Sequence, residues 1–267
     1  MSKIRFRFKR SLLAIPYALF LIVFVIIPLI LVIYFSFTDV DGKFTFDNVV
    51  TFFTNKTNIV TLLISLLIGI GNTALCLLIG YPIAYIISRK ENKMSYSLVL
   101  LFVMPMWINF VLRTGATRDL LTWIGLSGGD HPYITTMIGM VYNYLPFVIL
   151  PLYSTMIKMD NSLIEASMDL GANKVQTFVK TVIPMTMPGI ISACSMVFMP
   201  TMSSYVISDV MGERKISLIG NLIELYFNQT MWNMGSFVAL IMMIFIFVGM
   251  FVNRNAQKEE VTRGSLW

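Results

Sequence analysis

Residue types that carry catalysis or bind metal ions are scarce and scattered in this sequence. His131 is the only histidine, and it lies in a polar stretch, Gly128–Pro132, that is typical of a solvated loop. Cys76 and Cys194 lie inside apolar runs, far from any histidine or second cysteine. A phosphate-binding sequence of the form G-x-x-x-x-G-K-[ST] is absent. The sequence therefore predicts no metal centre, no disulfide, no ATPase site and no cofactor bound by this chain.

Four residues near the ends of apolar runs have side chains that could bind an organic cation. They are Trp107, Asn109, Tyr205 and Asp209. Carboxylates attract ammonium groups, and aromatic faces contribute about 0.5–2 kcal/mol each through cation–π attraction. We predict these residues as a candidate solute path. A second interpretation stays open, because Trp and Tyr near span ends also serve as interface anchors.

The elements that must position these residues are strongly apolar. Of 267 residues, 57% are hydrophobic and 13% are charged, whereas soluble domains carry about 25% charged residues. Six stretches of 19 residues or more lack Asp, Glu, Lys and Arg, and a helix needs about 20 apolar residues to cross a bilayer core. We therefore predict an all-α integral membrane protein with six transmembrane helices in a single domain, residues 1–267. The predicted spans are 12–36, 59–88, 96–113, 136–157, 185–207 and 234–252.

The distribution of Lys and Arg predicts the orientation. With the N-terminus inside, the inner segments hold 14 basic residues and the outer segments hold 6. Basic residues are enriched in cytoplasmic loops, so we expect both termini in the cytoplasm. The pI near 9.3 then reflects positive charge facing anionic membrane lipid, and no nucleic-acid partner is needed. The first span is predicted to be retained, because its apolar run is too long for a signal peptide.

Residues 158–184, between predicted spans four and five, hold the most specific pattern in the chain. Ser162 and Glu165 have the spacing of a capping box, which predicts a short helix over Leu163–Leu170. Gly171 suits the left-handed position that ends a helix.

A second helix is predicted to begin near Asn173 and to lead to Pro184. Its apolar residues occur at offsets 0, 3, 4, 7 and 8, the spacing of one helix face. They are Val175, Phe178, Val179, Val182 and Ile183. The segment is thus predicted to be a helix, a sharp glycine turn and an amphipathic helix.

This segment resembles the cytoplasmic signature of permease subunits of binding-protein-dependent ABC importers. That signature is Glu-Ala-Ala, three residues, Gly, nine residues, then Ile-x-Leu-Pro. Glu165, Ala166, Gly171 and Pro184 fall in register with it. The departures are small or conservative: Ser167 for the second Ala, Thr181 at the Ile position and Ile183 for Leu.

Further strings resemble the spermidine/putrescine branch of this family, and the resemblance covers about residues 16–252. They are Gly80–Pro82, Val103–Trp107, Pro151–Ser154, Ile183–Ile191 and Ser208–Gly212. The resemblance implies a type I (MetI-like) permease of the bacterial cytoplasmic membrane that forms half of a path for polyamines.

The resemblance also implies partners. Two homologous permeases pair around one path, two copies of an ABC ATPase bind beneath and use ATP, and an extracytoplasmic polyamine-binding protein delivers the solute. The short helix docks in a groove of the ATPase. The residues of this coupling loop are Glu165, Ala166, Ser167, Gly171, Ala172 and Pro184.

Other functions remain as alternatives. The same architecture could import another small solute, because the solute is indicated by the resemblance rather than by the residues themselves. A secondary transporter usually places ionisable residues inside its spans, and the six apolar runs have none. A channel could be lined by backbone and hydroxyl groups, but it has no need of the Glu165–Pro184 loop.

Overall fold

The computed structural model describes residues 14–89 and 92–264. The helices in these ranges are α1 (Ala14–Leu21), α2 (Ile27–Ser36), α3 (Asp47–Thr54), α4 (Lys56–Ser88), α5 (Asn92–Val103), α6 (Phe110–Trp123), α7 (Pro132–Met156), α8 (Ser162–Asp169), α9 (Lys174–Thr177), α10 (Ile183–Met185), α11 (Met187–Ser203), α12 (Tyr205–Met211), α13 (Ile219–Asn228) and α14 (Trp232–Gly264). Two π-helical turns, Ile22–Ile26 and Phe178–Val182, and one 3-10 turn, Met104–Trp107, join some of them. The predicted all-α fold is confirmed. The basic N-terminal cluster and the start of the first predicted span lie outside the described residues.

Six segments correspond to the six apolar runs. Four are long, continuous and apolar enough to cross a membrane: Ile15–Ser36, Lys56–Ser88, Pro132–Met156 and Trp232–Phe251. The third and fifth are bent pairs of helices, Met94–Trp107 with Phe110–Trp123 at 96° and Lys174–Met185 with Met187–Ser203 at 67°. The chain therefore has four continuous candidate spans, and six if each bent pair is one span.

The bend in the third segment follows from a proline and an asparagine. Pro105 lies in the 3-10 turn that ends α5 and has no N–H to continue an α-helical ladder. Asn109 then starts α6, because its side-chain oxygen accepts from the N–H groups of Val111 (3.0 Å) and Leu112 (3.3 Å). The new helix thus begins in a different direction.

The bend in the fifth segment is framed by two prolines. Pro184 lies in α10 and Pro188 in the first turn of α11, and proline is tolerated where the helix N–H groups have no partner in the preceding turn. Thr186, between the two helices, donates its buried hydroxyl to the Val182 carbonyl at 2.9 Å. The Thr186 N–H donates to the same carbonyl at 3.0 Å, so the hydroxyl adds a second hydrogen bond at the bend.

Two compact units are formed within the chain, and the first comprises residues up to Lys56 together with Ile223–Ile241. In this unit the side-chain amide of Asn233 donates to the Thr38 carbonyl at 2.7 Å. Asn48 donates to the same carbonyl at 3.0 Å. Such amides satisfy carbonyls at the end of α2, where the helix leaves them unpaired.

The second unit comprises Thr57–Leu222 and the chain from Met242 onward. Its core lies between α4, α7 and α11, and Gly80 allows close approach of α4 to α7, since a Cβ there would lie 2.8 Å from Val148. Asn72 donates to the Thr201 hydroxyl at 2.7 Å, both fully buried. Small residues and buried hydrogen bonds are the usual means of helix association in a bilayer. The single-domain organisation stays a prediction.

The orientation can be tested by cysteine accessibility in intact cells. In a background with Cys76→Ser and Cys194→Ser, cysteines at Asp41 and His131 should react with a membrane-impermeant maleimide from outside. A cysteine at Asn173 should react only after the membrane is opened, because basic residues concentrate on its side. Labelling of position 173 from outside would contradict the orientation.

Candidate functional site

The predicted coupling loop forms a short helix with a sharp end. The helix α8 spans Ser162–Asp169, within one residue of the prediction. After it, the Ala172 N–H donates to the Ser167 carbonyl (3.2 Å) and the Gly171 N–H to the Met168 carbonyl (2.9 Å). This pair of bonds is a Schellman motif. It requires the left-handed backbone that Gly171 adopts, with φ at +88°, so the predicted conformation of this glycine at the helix end is confirmed.

The capping box predicted at Ser162 and Glu165 is wrong. The residue before α8 is Asn161, and its side chain makes no capping bond. Instead, the Ser162 N–H donates to the Asp160 carboxylate at 2.9 Å, which lowers the pKa of Asp160. Because Asp160 already satisfies this N–H, the helix starts at Ser162, and the serine hydroxyl lies inside the first turn.

A capping box is present at the next helix. The side-chain oxygen of Asn173 accepts from the Gln176 N–H at 2.8 Å, and the side chain of Gln176 accepts from the Asn173 N–H at 3.0 Å. The predicted start of a second helix near Asn173 is therefore confirmed. The capping box, however, had been predicted for the preceding helix.

The predicted apolar face of the second helix is confirmed only in part. Val182 is buried, and Phe178 and Ile183 pack against the core. However, Val175 and Val179 are 71% and 52% exposed, and the polar Thr177 is buried. The cause is the π-helical turn that follows α9. A π-helical turn holds more residues than an α-helical turn, so side chains before and after it no longer share one face.

The surface of α8 is open. Glu165 and Ala166 are exposed, and so are the apolar Leu163 (47%) and Leu170 (90%). Ser167 faces the other way, toward the hydroxyls of the next helix. The remaining coupling-loop residues are Ala172, half-buried after the turn, and Pro184, exposed in α10.

Hydroxyl groups attach α8 to the segment that follows it. The Ser167 hydroxyl lies 3.3 Å from that of Thr177 and accepts from that of Thr181 at 3.2 Å. These contacts span the glycine turn. Movement of α8 would therefore be passed to α9 and the π-helical turn through side chains as well as through the chain itself.

An aromatic clamp holds this segment against α4. The ring of Phe178, in the π-helical turn, meets the rings of Tyr81 and Tyr85 edge-on, at centroid distances of 5.6 and 5.4 Å. Edge-to-face geometry is favoured by aromatic quadrupoles. The Tyr81 hydroxyl also lies 2.7 Å from the Thr186 hydroxyl at the bend of the fifth segment. The clamp thus joins the coupling loop, α4 and that bend.

Arg89 adds a second attachment of α8 to the end of α4. Its guanidinium lies 5.1 Å from the ring centroid of Tyr85, within cation–π range. Its Nη1 donates to the side-chain oxygen of Asn161, the residue before α8. Both ends of the short helix are therefore connected to the same part of α4.

The four candidate path residues lie on neighbouring elements. Trp107 is 82% exposed in the 3-10 turn before α6, and Asn109 caps α6. Tyr205 and Asp209 lie one turn apart on α12, which packs against α6 and α7. No hydrogen bond or ring contact joins Trp107 to Tyr205 or Asp209, all three being described residues.

A partner of Asp209 was missed by sequence reasoning. The Asn221 amide donates to one Asp209 oxygen at 2.6 Å, while the Asn221 oxygen accepts from the Ser208 hydroxyl and the Leu218 N–H, each at 2.8 Å. The asparagine therefore fixes the carboxylate beside the loop that precedes α13. Contacts between residues 12 positions apart leave no periodic signal in a sequence.

The burial of Arg113 was not predicted from the sequence. The residue was counted among the basic residues of the outer segments and ends the predicted span 96–113, but it is only 8% exposed. Its Nε donates to the Asn143 side chain and its Nη1 to the Pro105 carbonyl, each at 2.9 Å. The guanidinium also lies 5.6 Å from the centroid of the Tyr142 ring. The bend before α6 turns Arg113 inward. Asn143, a polar residue inside a predicted span, was the signal in the sequence that a buried polar partner was needed.

Comparison with known proteins places this geometry in a family. No family model matches the chain. It is 35% identical over 280 residues to the spermidine/putrescine transport system permease protein PotB of Haemophilus influenzae, covering 97% of each chain. It is 36% identical to the protein of the same name from Escherichia coli, covering 84% of this chain and 89% of that one.

Solved structures agree on the fold. A bacterial ABC transporter that imports the acidic polysaccharide alginate has a chain that superposes with a TM-score of 0.66 at 16% identity, covering 92% of this chain and 94% of that chain. A second structure of a bacterial alginate ABC transporter, in complex with a periplasmic protein bound to an alginate pentasaccharide, gives a TM-score of 0.68 at 15% identity. The fold is that of an ABC importer permease, and the identity to the two permeases extends over nearly the whole chain. The chain therefore belongs to the family of PotB spermidine/putrescine transport system permease proteins, multi-pass membrane subunits of bacterial ABC importers that carry no ATPase site.

Proposed function

We propose that this chain forms one half of a transmembrane path for polyamines such as spermidine and putrescine. The observation that carries the proposal is the 35% identity over 97% of the chain to a permease whose name states these solutes. A polyamine is a flexible alkyl chain with several ammonium groups, and the outer candidate residues have the chemistry to attract it.

Permeases of this family work with an ATPase and a binding protein. We propose the specific composition of one homologous second permease, two copies of the ATPase and one extracytoplasmic polyamine-binding protein. ATP would be bound by the ATPase subunits alone. This chain would then contribute the path and the mechanical contact with the ATPase.

The contact with the ATPase is proposed to be α8. Its exposed side chains combine an acid, Glu165, with the apolar Leu163 and Leu170, a composition suited to a groove in a partner. The Schellman turn at Gly171 sets the direction in which α8 projects. A helix held at both ends can transmit a displacement, whereas a mobile connector would absorb it.

The aromatic clamp is proposed to pass that displacement to the membrane spans. Phe178 lies between two tyrosines of α4, and Tyr81 also touches Thr186 at the bend of the fifth segment. A push on α8 would therefore act on α4 and on the bend together. Both elements belong to spans, so the path could open as the ATPase closes.

The solute entrance is proposed to include Tyr205, Asp209 and Trp107. One oxygen of Asp209 is held by Asn221, which leaves the other oxygen to attract an ammonium group. Tyr205 lies one turn earlier on the same helix, and Trp107 offers an exposed aromatic face. Asn109 is engaged in capping α6, so its proposed contribution is to hold the bend that positions Trp107.

The turn after α8 can be tested with Gly171→Val. A β-branched residue in a left-handed backbone costs roughly 1–2 kcal/mol, so α8 should be misdirected and uptake per assembled complex should fall about tenfold. No atom lies within 4 Å of a Cβ at this position, so the effect should come from the backbone alone. Gly171→Asn is the matched control, since asparagine tolerates this conformation. Normal polyamine uptake by Gly171→Val, measured in vesicles, would remove the loop from coupling.

The clamp can be tested with Phe178→Leu, which keeps an apolar side chain and removes both ring contacts. Each aromatic pair contributes roughly 0.5–1.5 kcal/mol beyond burial, so polyamine imported per ATP hydrolysed should fall about fivefold or more, with the complex still assembled. Val179→Leu, one residue on and exposed, should behave as wild type. An unchanged ratio of uptake to hydrolysis in Phe178→Leu would contradict the proposed transmission.

The entrance can be tested with Asp209→Asn, which removes charge and keeps size. Loss of one charge-assisted contact is worth about 1.5–3 kcal/mol, so uptake at low polyamine concentration should fall about tenfold or more. Asp130→Asn makes the same chemical change at an exposed loop position and should leave uptake unchanged. Equal uptake by wild type and Asp209→Asn, at equal complex levels, would exclude this carboxylate from the path.

A further inference from the structure

Arg113 is a buried cation that forms no ion pair with any residue that the structure describes. Its side chain is more than nine-tenths buried. The only ion pair among the described residues joins Arg118 to Asp119. Arginine stays charged in proteins, and buried charges are normally paired because burial removes their hydration. The geometry therefore leaves room for a counter-ion from outside the described residues.

The hydrogen bonds of Arg113 leave one side of the guanidinium free. Of its five N–H groups, Nε uses one on Asn143 and Nη1 uses one on the Pro105 carbonyl. Both acceptors are neutral. The other three N–H groups have no acceptor among the residues that the structure describes. The bound half of the fork fixes the orientation of the free half.

Arg113 is one of the residues that line a cavity of about 590 Å³ between α6 and α7. The walls are mainly aliphatic and include Ile108, Leu112, Leu120 and Ile138, with hydroxyls from Thr117 and Tyr142. An apolar cavity of this size with one cation at its wall suits a molecule that has an anionic group and a hydrocarbon part. A polyamine is excluded as the counter-ion, because it is itself cationic.

The end of α6 has a side chain typical of a membrane interface. The α6 helix turns by 96° from the apolar helix before it. Trp123, at the end of α6, is 89% exposed, and tryptophan is enriched at the boundary between hydrocarbon and water. Phosphate is the anion that phospholipids present there, and in phosphatidylglycerol no headgroup cation offsets its charge.

We infer that Arg113 and the cavity between α6 and α7 bind the headgroup phosphate of an anionic phospholipid, with its acyl chain along the aliphatic wall. The free N–H groups donate to the phosphate oxygens, a charge-assisted arrangement that the planar guanidinium favours. The lipid neutralises the buried charge and stabilises the bend that Arg113 bridges through Pro105.

Native mass spectrometry of the assembled transporter tests this inference. The complex is released into detergent containing equal amounts of phosphatidylglycerol and phosphatidylcholine, and bound lipid is counted. Arg113→Gln should retain about tenfold less phosphatidylglycerol, the loss expected for one charge-assisted contact. Arg118→Gln, exposed and paired with Asp119 on the same helix, should retain as much as wild type. Equal retention by Arg113→Gln and wild type would overturn the site.

Other occupants give different results. Loss of the second permease or of the binding protein from Arg113→Gln, with bound lipid unchanged, would identify a protein carboxylate as the counter-ion and overturn the lipid assignment. Displacement of the lipid by added inorganic phosphate would likewise overturn it in favour of a free anion.

A second variant covers the case in which Arg113→Gln fails to assemble. Ala116 is exposed at the cavity wall, so Ala116→Phe should fill the cavity and leave the bonds of Arg113 intact. It should lose bound phosphatidylglycerol about as strongly as Arg113→Gln. Thr122→Phe, exposed on the same helix and outside the cavity, should not. Retention of the lipid by Ala116→Phe would contradict the inference.

Discussion

Hydrocarbon offers a polypeptide backbone no hydrogen-bond partner, and this constraint governs the rest of the molecule. A helix satisfies its own backbone, which is why the long apolar runs are helical. Polar side chains inside the runs need partners as well, and many hydroxyls return to their own helix. Ser65 donates to the Thr61 carbonyl at 2.7 Å and Thr73 to the Gly69 carbonyl at 2.7 Å. Others cross between helices, as Asn72 does to Thr201.

At the two bends, side chains supply hydrogen bonds to backbone groups where the regular helix is interrupted. Each interrupts the helical ladder at a proline, and each is closed by a side chain from close by. Asn109 accepts the first N–H groups of α6, and Thr186 donates to a carbonyl of the preceding turn. In the third segment, Arg113 also reaches back to the Pro105 carbonyl.

The coupling loop joins the bend of the fifth segment to the surface of the protein. Its short helix is held by hydroxyl contacts at Ser167 and by Arg89 at its start, and Phe178 is clamped by two tyrosines. The tyrosines belong to α4, the span that also packs closely on α7 at Gly80. A continuous set of side-chain contacts therefore runs from the exposed face of α8 to the bend of the fifth segment.

The sequence alone determined the helical membrane class, the positions of the apolar runs, the glycine turn at Gly171 and the family signature. These features are local, since they depend on composition, on run length and on the spacing of a few residues. The three-dimensional structure decided the start of α8, where Asp160 accepts from the Ser162 N–H and Ser162 becomes the first helical residue rather than the cap. It also decided which face of the following helix is buried, because a π-helical turn shifts the register between Val175 and Val182.

Non-local contacts were beyond the reach of sequence reasoning for a physical reason. Arg113 follows an apolar run and carries a charge, so by composition it belongs to a loop. Only the 96° bend at Met104–Trp107 brings it against Asn143, 30 residues away, and buries it. The Asn221 partner of Asp209 and the tyrosines around Phe178 depend on chain reversal in the same way. Spacing along a chain predicts which residues share a helix face, whereas packing in three dimensions decides which faces meet.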